Sequence, residues 1–291
     1  MKIIDTVSFF LQNYQPTISF LKEYYKRYPS VFHEYFSYHC KDTEERHDLS
    51  IKKYQDSWSS IQCVHDLINP LIQDVVQKYE EEYRVQFPVE VNLIVGSYGS
   101  NAYTHRQIIP NVTFALEKLS PEPEHLRTIV AHEFGHATQN ILTDKEGMKW
   151  ERMNWNSPMT WLNQEGAATH FSRKIVGGLH PSVYFSFNNH GYEWFEFAKK
   201  NEDEFLLAFA KDYTSLSAQT IFSEWFSING GKKFGHSRLG YYIADLFFQD
   251  QVIKLGERDA ITAWKDDNFI RNAEVWLSQR TGLNKNSMEL L

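Results

Sequence analysis

The sequence predicts an α+β fold, mostly helical, in which a small sheet is flanked by helical N- and C-terminal lobes. Three observations carry that expectation. Apolar residues recur at three- and four-residue spacing along much of the chain, as in Leu67, Ile68, Leu71, Ile72, Val75 and Val76. Only residues 89–95 and 112–116 read as strands, the first by apolar/polar alternation that turns fully apolar as it enters a core. Aromatic residues make up 15% of the chain, enough to pack wide helical faces without a large sheet.

Residues 1–87 read as a helical lobe, with helical spacing over residues 7–11, 20–25 and 61–83. The aromatic stretches there read as core, and Glu80-Glu81-Glu82 as a solvated face. Residues 88–155 hold the small sheet and the helix that follows it. Ser120-Pro121-Glu122 predicts that helix's start: an N-cap, a proline at the first helical position and an acidic first turn. Leu126, Ile129, Val130, Phe134, Ala137 and Ile141 mark its buried side. Residues 156–291 form a second helical lobe, opened by Ser157-Pro158, with a stop at Gly177-Gly178 and further helices over 202–210 and 241–251. Residues 88–291 are expected to act as one unit. The glycine-rich run 230–235 lacks the order of a phosphate-binding loop and reads as a plain loop.

Composition bounds the partners. A net charge of −7 gives no basic footprint for nucleic acid, and no run of 18 apolar residues predicts a membrane span. The first residues lack the basic and apolar pattern of a signal peptide, so a cytoplasmic location is expected. Cys40 and Cys63 are expected to be reduced and structural, although His39 and His65 stand close to them in sequence.

Chemistry concentrates in His132-Glu133-Phe134-Gly135-His136, an H-E-x-x-H motif inside the expected helix. Histidines four apart lie one turn above each other, so both rings reach one metal ion. Glu133 projects beside that face, where it can take a proton from a water the metal activates. Hydrolytic zinc needs a third protein ligand, and Glu165 is the candidate, mid-way along the helix that Ser157-Pro158 opens. Gly166, Ala167 and Ala168 beside it are small, which would let this helix approach the first one closely. His170 is the rival ligand, but its offset turns it away from the face of Glu165. The glycine and third histidine of the metzincin pattern are missing after His136.

With these residues the chain resembles the gluzincins, the thermolysin-like zinc peptidase superfamily. It looks closest to bacterial predicted zinc-dependent proteases with H-E-[YF]-x-H followed by E-G-x-A, matched here by His132 to His136 and Glu165 to Ala168. The resemblance runs from about residue 89 to about 250. It implies a zincin-like catalytic core, one zinc ion per chain on His132, His136 and Glu165, and a peptide or protein substrate. It also implies that Asn101 and Ala102 lie on a sheet edge that pairs with substrate backbone. A Gly-Tyr pair opening a helix is matched by Gly240-Tyr241, making Tyr241 the expected oxyanion donor, with Tyr242 and His236 as substitutes. Arg238 is a candidate clamp for a substrate carboxylate. Thr169 departs from the pattern: thermolysin has an aspartate at that spacing, which orients a ligand histidine.

The expected function is peptide-bond hydrolysis with Glu133 as general base. The alternative is an inactive zinc-containing protein that binds peptides or regulates. Endopeptidase and aminopeptidase readings stay open, as does the oligomeric state.

Overall fold

Helices hold 67% of the described residues in the computed structural model, against four short strands, in agreement with the α+β expectation. The structure describes residues 1–282. The chain divides into two compact units, Met1–Ala137 and Thr138–Leu291.

The first unit begins with a strand that the sequence reading did not foresee, β1 (Lys2–Asp5). Then come α1 (Val7–Asn13), α2 (Ile18–Arg27), α3 (Pro29–Glu34) with a π-helical turn at Tyr35–His39, and α4 (Glu44–Tyr83). After them lie β2 (Glu90–Ile94), β3 (Ala102–Thr104), β4 (Val112–Ala115), a 3-10 turn at Leu116–Lys118 and the start of α5 (Pro123–Lys145). The sheet order is β1-β2-β4-β3, with β1 parallel to β2, β2 parallel to β4 and β3 antiparallel to β4. β2 and β4 are almost wholly buried, as central strands of near-continuous apolar character should be.

α4 is longer than residues 61–83 suggest. Thr43 caps it by accepting the Arg46 N–H at 3.3 Å, and the left-handed Arg84 ends it. Its first half hides because the buried positions there are His47, Ser50 and Tyr54, not aliphatic residues. Pro70 sits in its interior, where the missing N–H removes one ladder bond. Phe10, Phe20, Tyr24 and Tyr54 pack edge-on and tilted in the core of this unit, so the aromatic stretches are core, as expected.

The loop between β2 and β3 is pinned from below. Tyr35 Oη accepts the Ser97 and Gly99 N–H groups at 2.8 and 2.9 Å. The buried Glu117 carboxylate accepts those of Gly96 and Tyr98 at 2.9 and 3.1 Å. Burial pushes the Glu117 pKa up, against those two donors, which favour the charged form. Arg46 donates to the Ser97 and Tyr98 carbonyls from above the same loop.

Asp5 joins β1, α1 and α4. Its Oδ1 accepts the Val7 N–H at 2.8 Å, its Oδ2 accepts the Ser8 hydroxyl at 2.5 Å and meets His65 Nε2 at 2.9 Å. Both Asp5 and Ser8 face the same imidazole nitrogen, so these three side chains are a latch and not a proton relay. Burial raises the Asp5 pKa, but the His65 and Ser8 bonds outweigh it and hold the carboxyl at about 2. The same bond raises the His65 pKa despite desolvation. The Asp5 contribution is complete above its unfolded value and fades as pH falls towards 2. The His65 contribution is complete below pH 6.5 and fades as pH rises through its raised folded value. The wild type should therefore exceed His65→Gln in stability by about 1 kcal/mol between roughly pH 4 and 6.5, and by less on either side. Melting curves across pH check this; a pH-independent gap would exclude the latch.

The second unit contains the rest of α5, a 3-10 turn at Trp150–Arg152, α6 (Pro158–Ile175), α7 (Val183–Ser186), α8 (Tyr192–Lys200) and α9 (Glu202–Ser215). α10 (Ala218–Ile221) runs into a π-helical turn at Phe222–Phe226. α11 (Leu239–Leu255), α12 (Glu257–Thr262) and α13 (Phe269–Thr281) complete it. Ser157 caps α6 through the Met159 N–H with Pro158 in the first turn, and Gly178 follows at φ +84°, as the sequence predicts. Met159, Leu162, Phe205, Phe209, Trp225, Ile243, Phe247 and Trp264 form the core. The last turns of α5 are tied to it: Gln139 Nε2 donates to the Ile261 carbonyl at 3.3 Å and Trp264 Nε1 to Thr143 Oγ1 at 2.7 Å. Among the described residues, no helix is long and apolar enough to cross a membrane.

Candidate metal centre

α5 starts at Pro123, not at Pro121. Ser120 Oγ still accepts the Glu122 N–H at 3.3 Å, but it also meets His125 Nδ1 at 2.8 Å, which holds a turn ahead of the helix. Pro123 then takes the first helical position, where its missing N–H costs nothing. Two contacts fix the turn that carries the motif. Tyr79 on α4 donates its hydroxyl to the Ala131 carbonyl at 2.6 Å, and Phe134 meets the Phe87 ring edge-on at 5.0 Å. Both act within two residues of His132, so they fix its turn of the helix.

His132 is buried and His136 half-buried, with ring centroids 5.0 Å apart and planes at 89°. Glu133 is buried at 7% exposure. Glu165 is half-buried on α6. One ligand atom from each of His132, His136 and Glu165 lies within 4.8 Å of the other two. Among the described residues this is the one group of three or more such side chains with metal-binding geometry. Tetrahedral zinc with bonds of about 2.0–2.2 Å sets its ligand atoms roughly 3.3 Å apart, so small side-chain adjustments bring the three into range. Two imidazoles and one carboxylate are also a donor set that zinc accepts with an open fourth position.

No protein-family model, curated protein or solved structure matches this chain. The centre rests on its own geometry.

The neighbours of Glu165 divide into several roles. The nearest neighbours of Gly166 belong to α11, not to the motif helix that the sequence reading expected. A Cβ built on Gly166 would lie 2.6 Å from Phe248 Cβ and closer still to the Ala244 carbonyl oxygen, so the missing side chain admits α11. Thr169 is fully buried, and its hydroxyl has no hydrogen-bond partner among the described residues. His170, the rival ligand, is engaged elsewhere: Nε2 lies 2.8 Å from Glu257 Oε1 and Nδ1 3.2 Å from Gln249 Nε2. Cys40 and Cys63 are free thiols; His65 is held by Asp5, and His39 stacks on Tyr103 at 3.5 Å.

Ala102 opens the edge strand β3, opposite Phe114, with Asn101 just before it. The Asn101 carbonyl accepts the Ala115 N–H at 2.8 Å and the His105 N–H donates to Asn111 at 2.8 Å. By the two-residue period, the main-chain groups of Ala102 and Thr104 point away from β4. The Ala102 N–H is taken by Asn101 Oδ1 at 3.0 Å.

The candidate donors separate by packing. Tyr242 is buried and donates to Glu202 at 3.1 Å; burial, with Glu202 beside it, pushes its pKa up. His236 is half-buried and stacks on Phe197 at 4.2 Å. Tyr241 is half-buried on the first turn of α11, under the Arg238 guanidinium at 4.0 Å from its ring centre. The sequence reading missed the aromatic residues that continue from there: Phe226, then Trp161 and Phe222. Trp161 was within reach of a sequence argument, since it precedes Glu165 by one helical turn. Phe222 was not, because only the tertiary fold brings α6 and the π-helical turn together.

Proposed function

We propose that this chain is a zinc-dependent metallopeptidase with a zincin-like catalytic core. The observation that carries the reading is the convergence of His132, His136 and Glu165, with the buried Glu133 one residue from the first ligand. Bound zinc would supply Lewis acidity, polarising the scissile carbonyl and lowering the pKa of the attacking water. Glu133 accepts that water's proton and passes it to the leaving nitrogen, a transfer that burial shields from bulk solvent. Tyr241 donates to the oxyanion that develops on the carbonyl, and its neighbour Tyr242 is bonded to Glu202 instead. The outward Ala102 carbonyl and Thr104 main chain of β3 suit an extended peptide added to the sheet edge. A reducing, cytoplasmic setting fits the two free thiols, and the acidic net charge favours no nucleic-acid partner.

The test begins with metal content and ends with cleavage. Purified protein should carry about one zinc per chain, and removing one of three ligands by Glu165→Ala should drop that well below half after dialysis against a chelator. Full retention of zinc in Glu165→Ala would reject the ligand set. A zinc-loaded protein that leaves a diverse peptide library uncut by mass spectrometry would replace the peptidase with a peptide-binding zinc protein.

A further inference from the structure

Trp161 stands one turn before Glu165 on the same face of α6. Its indole N–H donates to the Trp155 carbonyl at 2.8 Å, which fixes the ring. Phe222 and Phe226 meet it edge-on at 5.2 and 5.6 Å. Phe226 leads on to Tyr241 at 6.2 Å, and the Arg238 guanidinium covers Tyr241 and reaches 5.9 Å from the Phe187 ring centre. Phe222 is 43% exposed, so the wall is open to an occupant.

An apolar wall alone names no ligand, but its charged end does. The Arg238 guanidinium makes no hydrogen bond or ion pair with any described residue; its ring contacts are the two aromatic faces. A guanidinium stacked on rings keeps its in-plane N–H groups free for bidentate pairing with a carboxylate. Its backbone is left-handed at φ 62°, a conformation that asparagine or glycine adopts at lower cost. A bulky apolar side chain beside a free carboxylate occurs together at the carboxyl terminus of a peptide. An acidic side chain would satisfy Arg238 and leave the rings bare.

We propose that Trp161, Phe222 and Arg238 bind the carboxyl-terminal segment of short peptides with bulky apolar residues near a free C-terminus, which makes these the substrate class. The proposal rests on the peptidase reading above.

Two peptides of one sequence, with phenylalanine next to the last residue, one ending in a free acid and one in an amide, provide the test on zinc-loaded protein. The free acid should be cleaved with kcat/KM about 10- to 100-fold higher, the range expected of a charged hydrogen-bonded pair. Arg238→Asn suits the left-handed backbone and should fold, hold zinc and bring the acid-to-amide ratio near one. Phe222→Ala removes an exposed ring and should reduce the preference for phenylalanine over alanine several-fold. Equal cleavage of acid and amide by the wild type, or an undiminished ratio in Arg238→Asn, would overturn the proposal and leave the peptidase reading standing. Cleavage of no peptide at all would remove both.

Discussion

Glu133→Gln is expected to keep about one zinc per chain while turnover falls by roughly 10²- to 10⁴-fold, the usual worth of a positioned general base. Glutamine matches glutamate in size, so the buried pocket at 7% exposure is refilled without a cavity. What it lacks is a basic oxygen: an amide does not accept a proton at neutral pH. Metal content and folding therefore serve as internal controls, and kcat isolates the proton transfer. Equal turnover in the variant would eliminate Glu133 as the base, whatever the metal does.

Gly166→Ala has the second large effect, and its sign is informative. In an exposed helix the change would stabilise by about 1 kcal/mol, because glycine is the poorer helix former. Here the new methyl meets the Ala244 carbonyl and Phe248 Cβ, both fixed to the α11 backbone. Neither can rotate away, so α6 and α11 must part, and a net loss of about 1–3 kcal/mol follows. Denaturant unfolding reads the stability. Zinc affinity, read in parallel, reports whether the adjoining Glu165 moves with its helix. An alanine variant as stable as the wild type would mean that the two helices do not approach so closely.

The cluster of His132, His136 and Glu165 was legible in the sequence because each helix that carries it has local signals. His132 and His136 share a face by helical geometry alone, and Ser157-Pro158 with Gly177-Gly178 bracketed the helix of Glu165. Local signals failed where buried positions carry the wrong residue type, as in the His47, Ser50 and Tyr54 half of α4. They also failed where an element is very short, as in the four residues of β1. Glycine 166 shows a subtler limit. The sequence reading expected a close approach to the motif helix, whereas the neighbour that Gly166 admits is α11, since every helix presents more than one face to its neighbours. The aromatic wall beside Glu165 belongs to the same category: Phe222 and Trp161 are 61 positions apart, from 222 − 161, and meet only through the fold.

β1 has consequences for the order in which the molecule assembles. Lys2 pairs with Glu90 in parallel register, so nearly all of the first helical segment must be threaded between two neighbouring strands. Local helices form long before so distant a strand pairing, and β1 is expected to dock late and detach early. Detachment uncovers the flank of β2, where Val91 and Leu93 are buried, and an uncovered apolar strand edge recruits other chains. The exposed Lys2–Glu90 pair adds little restraint; the Asp5–His65 contact is the stronger hold. Mild stress should thus show first as self-association seeded at β2, with His132 and His136 still in place on α5.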